Sequence, residues 1–327
     1  MYGFIHATFN QEETLTTQLD PFIKFKHLIP HKLASFLEGK NPLNKQATTL
    51  LFVGMTLEGN PIGLAVASLN NGKSEPDKAS YSQSLDIHLL STESTIQDNI
   101  WVGAKLLSEV ERLGISLRCH HFFLVYLQDD PSTLFFEEIT LHNKWSGTRP
   151  YMITCKISRA AVSKLTMPWI YSIGGLLDDF QEFFWTDLTK KEQAQIIRGK
   201  VNNIFKPALF PPFSPVDENG KPCFETLNSL GIRHQGRVIA WMITERKASD
   251  TINYSALFVE KGFEQFMLGP KLLAHAIFYH LKSDIPWASF EIPLMQISSS
   301  WKRFVEKNIV PCTEEVKRYR LAWKEID

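Results

Sequence analysis

The feature of this sequence that most constrains its fold is an internal repeat. The segment WVGAKLLSEVE at 101–111 resembles MLGPKLLAHAI at 267–277. Gly103 and Gly269, which stand at the same place in the two segments, are 166 residues apart. A period of this length in a chain of 327 residues indicates a duplicated domain, because one domain usually takes about 100–200 residues.

Two further matches support the repeat. His120 begins HHFFLVYL and Pro286 begins PWASFEIPL, and these residues are also 166 apart. The segments GNPIGLAVA and GRVIAWMIT begin at Gly59 and Gly236, which are 177 apart. One loop insertion explains the difference of 11 residues, since the first half carries the polar stretch NNGKSEPDKAS at 70–80.

Both halves show the same order of predicted elements, a β-hairpin followed by a strand, a loop, a helix and a strand. We therefore predict two domains, residues 1–158 and 165–327, each of the α/β class with a mixed sheet. In the second half, PWIYSIGG at 168–175 is predicted as a strand and DDFQEFFWTDL at 178–188 as a helix.

Composition and charge exclude several classes of protein. Lys+Arg and Asp+Glu each number 35, so a broadly basic nucleic-acid-binding protein is not indicated. The four Cys lack metal-ligand or CxxC spacing, so we predict neither a metal site nor a disulfide framework. No signal-peptide pattern and no run of about 18 apolar residues is present, so we expect a cytoplasmic protein without a membrane span. The 23 Phe predict a Phe-rich core, and the alternative is a pocket for a long apolar ligand.

The strongest candidate for a functional site is the segment TINYSALFVEKGFEQFMLGPKLLAHA at 251–276. An apolar strand ends at Val259, a ten-residue step leads to Gly269, and a helix then opens with Lys-Leu-Leu. Backbone N–H groups at a helix N-terminus attract anions such as a pyrophosphate, and a Gly lets the backbone approach closely.

This arrangement resembles the acyl-CoA-binding motif of the GNAT superfamily of acyltransferases, and the resemblance covers nearly the whole chain. In that motif a strand ending in Val leads to Arg/Gln-x-x-Gly-x-Gly/Ala and a helix. Here the Arg/Gln position falls on Glu264, the first Gly on Met267 and the second on Gly269. In the first half the same three positions fall on Asp98, Trp101 and Gly103.

The resemblance implies two tandem GNAT-like domains, each a mixed sheet of six or seven strands with helices on both faces. It implies an N-acyltransferase that moves an acyl group, acetyl or longer fatty acyl, from acyl-CoA or an acyl-carrier protein to an amine of a peptide or small molecule. Some tandem GNAT-like enzymes attach fatty acyl groups to ribosomal peptides. The second domain keeps the spacing better and is the expected acyl-CoA site, while the first is expected to be structural or to recognise substrate. The implied cofactor-binding residues are Leu257, Phe258, Val259, Met267, Leu268, Gly269, Pro270 and Lys271.

Acyl transfer to an amine needs proton removal from the amine, donors for the oxyanion and a proton for the thiolate. The carboxylate that the family often places on the motif strand is replaced by Asn253, and the Tyr of its last helix by Phe304. The predicted substitutes are Glu291 as base and Tyr254 as oxyanion donor or acid, with Asn253 beside them. A bound water or the peptide partner is the alternative base. Alternation along the strand leaves open whether Glu291 faces the cleft or solvent.

Histidines supply no stronger candidate. His275 and His280 are five residues apart and do not share a helix face, so a metal pair is not predicted. Asp86 and His88 share one face of a strand, which would allow Asp86 to orient His88. A hydrogen-bonded, half-buried His88 is the alternative.

A second hypothesis comes from another class of protein. The replacements at Asn253 and Phe304 favour a non-catalytic GNAT-like module that binds a peptide or acyl-CoA without turnover. GxSxG, HExxH, P-loop and GxGxxG motifs are absent from the sequence.

Overall fold

A computed structural model describes residues 2–10, 20–29, 49–70, 83–93, 99–166, 179–202, 204, 209–217, 220, 222–295 and 297–326. The strands β1 to β12 are Tyr2–Asn10, Thr49–Leu57, Asn60–Asn70, Gln83–Thr92, Cys119–Leu127, Ser146–Ser158, Phe180–Phe184, Leu230–His234, Arg237–Ala248, Thr251–Val259, Trp287–Pro293 and Glu315–Glu325. The helices α1 to α6 are Asn99–Ser116, Thr133–His142, Arg159–Thr166, Lys190–Val201, Leu268–Leu281 and Ser299–Phe304. Short 3₁₀ segments cover Asp20–Leu28, Trp185–Asp187, Glu264–Phe266 and Val310–Cys312, and a π-helical turn covers Val305–Ile309.

The chain divides into two compact units with the same topology. Unit 1 comprises Met1–Tyr151 and Arg318–Asp327, and unit 2 comprises Met152–Lys317. The strand order is β1-β2-β3-β4-β5-β12 in unit 1 and β6-β11-β10-β9-β8-β7 in unit 2. Among the described strands, β4 and β5 pair in parallel in unit 1, β10 and β11 pair in parallel in unit 2, and the other pairs within each unit are antiparallel. Among the described residues, each unit therefore has an α/β fold with a mixed six-stranded sheet, as the sequence predicts.

Each unit takes one strand of its sheet from a distant part of the chain. β12 pairs with β5 in unit 1 over Tyr319–Glu325, and β6 pairs with β11 in unit 2 over Met152–Ser158. The predicted domains, residues 1–158 and 165–327, place β6 in the first domain and β12 in the second. In the structure β6 pairs in unit 2 and β12 pairs in unit 1. Hydrophobic alternation predicts that a strand exists, but its partner is set by backbone pairing that alternation does not encode.

Helices cover both faces of the sheet in unit 2. On one face, α5 buries Leu268, Leu272 and Ala276 at helical spacing, and the short helix α3 adds Val162 to the same core. On the other face, α4 places Ile196 in a second core that also holds Trp185, Trp241 and Phe258. Within the described part of the chain, no helix is long and apolar enough to cross a membrane.

One element differs from the prediction. Residues 178–188, predicted as a helix, form β7 and the 3₁₀ turn Trp185–Asp187. β7 pairs with β8 from Phe180 to Phe184, and this pairing outweighs the local helical pattern. The strand predicted at 168–175 lies outside the described residues.

We expect the two predicted domains to be unstable when separated, because residues 1–158 lack β12 and residues 165–327 lack β6. The edge of β5 or β11 would then be left unpaired. Thermal unfolding of each fragment should begin at a lower temperature than that of the full chain. Mixing the two fragments should restore a cooperative transition. A 1–158 fragment as stable as the full chain would contradict the exchange of strands.

Candidate functional site

The candidate site lies in unit 2, where two neighbouring parallel strands separate. β10 and β11 pair up to Tyr254 and Phe290. Their pairing ends there, although β10 continues to Val259 and β11 to Pro293. The rings of Tyr254 and Phe290 stack with centroids 4.6 Å apart at this last paired position. The sheet therefore opens into a gap beyond these two rings.

A β-bulge accompanies the separation. Tyr254 pairs with Thr244 and Ala256 with Ile243, so Ser255 is the extra residue on β10. Its hydroxyl donates to the Ile243 carbonyl at 3.1 Å. Since a bulge bends the strand that carries it, Ser255 turns the second half of β10 away from β11.

A cavity of about 470 Å³ fills the gap. This volume lies in the range of small-molecule sites, roughly 300–1,000 Å³. Apolar side chains form most of its wall, among them Leu257, Leu273, Phe290, Ile292, Trp301 and Ile309. Its polar lining residues are Tyr254, Ser255, Glu291 and Ser298. The cavity is thus suited to a ligand group that is mainly apolar.

Helix α5 begins just after the end of β10. Its N-cap residue, Met267, has φ 57° and ψ 30°, a left-handed conformation that favours Gly. The first N–H of the helical ladder is that of Lys271, which donates to the Met267 carbonyl at 3.2 Å. The N–H groups of Leu268 and Gly269 precede that ladder, as in any helix N-terminus, and are suited to an anion. Met267 thus adopts a left-handed backbone conformation that Gly usually occupies.

Gly269 packs against the end of β10. A Cβ atom added to it would lie 3.4 Å from Val259 Cγ2 and 3.6 Å from Leu257 Cδ2, which is ordinary contact. Gly103 differs, because it lies inside α1 and its Cβ would come within 2.5 Å of Phe135 Cζ. Gly103 therefore serves the packing of α1 against α2 and is not at a helix N-terminus. Asp98 lies outside the described residues.

Glu264 occupies the turn before Met267. Its carboxylate accepts a hydrogen bond from the Gly262 N–H at 2.7 Å. Hydrogen bonds from the backbone N–H groups of Glu264 and Gly262 lower the pKa of the Glu264 carboxyl, and nearby Lys261 adds to the effect. The negative charge is thus stabilised within its own turn.

Glu291 lies on the face of the sheet opposite α5, and it lines the cavity. Its neighbour Phe290 points into the core on the α5 side. Glu291 forms an ion pair with Lys247 of β9, and both side chains are 43% exposed. The structure therefore places Glu291 at the cavity with a counter-ion already bound.

Tyr254 faces α5 and is buried. Its hydroxyl lies 3.1 Å from His280 Nδ1, and His280 Nε2 lies 3.1 Å from the Ile285 carbonyl. Because a carbonyl only accepts, Nε2 carries the proton and Tyr254 donates to Nδ1. Burial raises the pKa of Tyr254 above its usual range and lowers the pKa of His280, so both groups are neutral at pH 7.

Asn253 is buried on the opposite face from Tyr254, and its Oδ1 accepts from Ser289 Oγ at 3.0 Å. Of the three predicted catalytic residues, Asn253 and Glu291 therefore share one face, while Tyr254 occupies the other. Sequence reasoning missed the partners Lys247 and His280, because both contacts depend on register and helix position.

His275 and His88, the other histidines considered from the sequence, have separate partners. His275 pairs with Glu182, whose hydrogen bond raises the pKa of the imidazole. In unit 1, His88 Nε2 lies 2.7 Å from Ser68 Oγ, whereas Asp86 accepts from Asn70. Asp86 does not orient His88 in this structure. Across the described ranges, no cluster of three His, Cys, Asp or Glu side chains is placed to hold a metal ion.

Solved structures that resemble this fold include GNAT proteins. A glucosamine N-acetyltransferase region of a fungal multi-domain β-N-acetylglucosaminidase matches 99% of this chain at 13% identity and a TM-score of 0.63, and the match spans 38% of that longer chain. A tandem GNAT protein from the clavulanic acid biosynthesis pathway matches 99% of this chain and 98% of its own length, at 10% identity and a TM-score of 0.58. A GCN5-related N-acetyltransferase from Sphaerobacter thermophilus matches 98% of this chain and 95% of its own length, at 11% identity and a TM-score of 0.56.

These likenesses establish a tandem GNAT fold, and the resemblance inferred from the motif is confirmed at that level. No protein-family model matches the sequence, and no curated protein does so.

We expect Met267→Gly to stabilise the protein by up to about 1 kcal/mol, because a non-Gly residue in the left-handed region is strained. The free energy of unfolding by urea measures the effect. Gln265→Gly, in the preceding 3₁₀ turn and without a positive φ, is the matched control and should destabilise by about 1 kcal/mol. Equal losses in both variants would show that the conformation of Met267 is not strained.

Proposed function

We propose that this protein is an acyl-CoA-dependent N-acyltransferase whose donor site is in unit 2. The observation that carries the proposal is the gap between β10 and β11, which holds an apolar cavity and ends beside the N-terminus of α5. An acyl-CoA has an anionic pyrophosphate at one end, a narrow arm with two amides, and a thioester at the other. The anion-attracting helix end and the cavity offer sites for the two ends.

The arm is proposed to lie along the second half of β10. Beyond Tyr254, the strand residues Leu257, Phe258 and Val259 have lost β11 as a partner. Their backbone groups on that side need new hydrogen bonds, and the amides of the arm supply them in the manner of an added strand. Met267, Leu268, Gly269, Pro270 and Lys271 form the proposed pyrophosphate end. An acyl-carrier protein presents the same arm and is the alternative donor.

The acyl group is proposed to be longer than acetyl. The wall formed by residues such as Leu273, Ile292, Trp301 and Ile309 is apolar and extends well beyond the size of two carbons. Each buried methylene group contributes about 0.8 kcal/mol, so a longer chain gains from this wall. The acceptor is proposed to be an amine of a peptide or a small molecule.

In the proposed reaction, the amine nitrogen forms a bond to the thioester carbonyl carbon and the carbon–sulfur bond breaks. Glu291 accepts the amine proton after release from Lys247, and the departing thiolate takes up a proton from solvent. The neutral phenol of Tyr254, which lines the cavity, is proposed to turn from His280 and donate a hydrogen bond to the oxyanion. Asn253 is proposed to orient the acceptor on the Glu291 side. The ion pair at Glu291 is also compatible with the second candidate, a module that binds acyl-CoA without turnover.

Calorimetry with acetyl-, octanoyl- and myristoyl-CoA tests the donor site. We expect affinity to rise with chain length, by about fourfold per methylene at most. Gly269→Trp should reduce affinity at least about tenfold, because the indole would fill the space beside Leu257 and Val259. Gly269→Ala should bind nearly as well as the natural protein, since its Cβ fits.

Gly147→Trp is the control for a bulky residue, since its Cβ would meet nothing within 4 Å. Failure of the natural protein to bind any of the three thioesters would refute the donor site. Binding without thiol release across a panel of amines would favour the non-catalytic module.

Glu291→Gln should lower turnover by about 10²–10⁴, the usual contribution of a general base. The loss should shrink as pH rises, because the amine then deprotonates without help. Lys247→Met is the matched variant, since it breaks the same ion pair and keeps the carboxylate. Thiol release measured across pH 6–9 should fall in Glu291→Gln alone. Equal losses in the two variants would mean that only the ion pair matters.

A further inference from the structure

Tyr254 belongs to a buried chain of hydrogen bonds on the α5 side of the unit 2 sheet. The Thr244 hydroxyl donates to Asn228 Oδ1 at 2.5 Å, so the amide nitrogen of Asn228 is left as a donor. That nitrogen donates to the Ala276 carbonyl at 3.2 Å, and Asn228 also hydrogen-bonds the Tyr254 hydroxyl. Asn228, Thr244 and His280 are all fully buried, so water does not satisfy these groups.

The chain fixes where the Tyr254 proton points. The Tyr254 oxygen accepts from Asn228, and its O–H donates to His280 Nδ1 at 3.1 Å. His280 can accept there because its Nε2–H donates to the Ile285 carbonyl. Tyr254 lines the cavity, whereas His280 is not among the described residues of the cavity wall. In the resting protein the proton of this phenol is therefore held by a buried acceptor and is not offered to the cavity.

The ring of Tyr254 can stay in place while its O–H bond changes direction. The ring stacks on Phe290 with centroids 4.6 Å apart and an interplanar angle of 12°. Rotation about the bond between the ring and the oxygen moves only the hydrogen atom. One O–H group has one proton to donate, so a bond to an oxyanion in the cavity replaces the bond to His280. A hydrogen bond that is present in the resting state and lost in the transition state raises the barrier.

We propose that His280 is a positioning residue that restrains the reaction by competing with the oxyanion for the Tyr254 hydrogen bond. This inference rests on the proposed function, in which Tyr254 donates to the oxyanion. The phenol keeps its proton throughout, and only the acceptor of its hydrogen bond changes. His280 thus stabilises the fold and slows turnover, two effects that a purely structural histidine would not combine.

Two variants with side chains of the same branched shape separate this competition from packing. His280→Leu offers Tyr254 no acceptor, whereas His280→Asn offers an amide oxygen close to the place of Nδ1. Both variants lose the bond to the Ile285 carbonyl. At saturating octanoyl-CoA and 1-aminohexane, thiol release should be about three- to tenfold faster in His280→Leu than in His280→Asn. Equal rates, or a slower His280→Leu, overturn the proposal.

Two further readouts distinguish the competition from a structural role. His280→Leu should unfold at a lower temperature than His280→Asn, because its buried phenol has lost an acceptor, and yet turn over faster. When either change is combined with Tyr254→Phe, the two double variants should release thiol at equal rates, since no O–H remains to be shared. A difference that persists without the hydroxyl would assign the effect to packing and contradict the competition.

The natural protein offers a measurement that does not depend on the folding of any variant. ¹⁵N NMR of labelled histidine distinguishes an imidazole nitrogen that accepts a hydrogen bond from one that does not. The His280 Nδ1 resonance should move toward the unbonded value when a trifluoromethyl ketone analogue of acyl-CoA binds, because the hydrate of this ketone resembles the tetrahedral intermediate. An unchanged resonance in a protein that binds the ketone refutes the role of His280 and leaves the donor site standing. A protein that binds neither the ketone nor octanoyl-CoA refutes the donor site, and the inference with it.

Discussion

The loss of pairing between β10 and β11 is the constraint on which the rest of unit 2 depends. Inside a sheet, each backbone N–H and C=O needs a partner, and beyond Tyr254 and Phe290 the neighbouring strand no longer supplies one. The bulge at Ser255 permits the separation, and the stacked rings close its base. The cavity, its apolar wall and the position of α5 all follow from this one interruption.

Unit 1 shows that the same backbone does not by itself make the same site. Its parallel pair β4–β5 also stops partway, at Ile87 and Leu124, and His88 is the extra residue of a bulge on β4. Gly103, however, lies inside α1 and packs against Phe135, whereas Gly269 of unit 2 lies at the N-terminus of α5. The topology is shared, and the side chains decide which unit is suited to a ligand.

The repeat, the fold and the strand–loop–helix motif were predictable because they are written as spacing and periodicity. The face of Glu291 was not, since alternation states only that it differs from Phe290. The left-handed Met267 carries no local signal, because propensity would place Gly there. The pairs Lys247–Glu291 and Tyr254–His280 join elements whose register emerges only from tertiary packing. For the same reason the strand at Phe180–Phe184 was predicted as a helix.

The exchange of β6 and β12 also determines the order in which the two units can be completed during translation. The sheet of unit 1 is complete only when β12 has been added, yet its other strands end at Leu127. A ribosome working at about 5–20 residues per second takes roughly 10–40 s to travel from there to β12. During that interval the edge of β5 waits for its partner, while unit 2 is still emerging. The unit that is translated first is therefore the unit that is finished last.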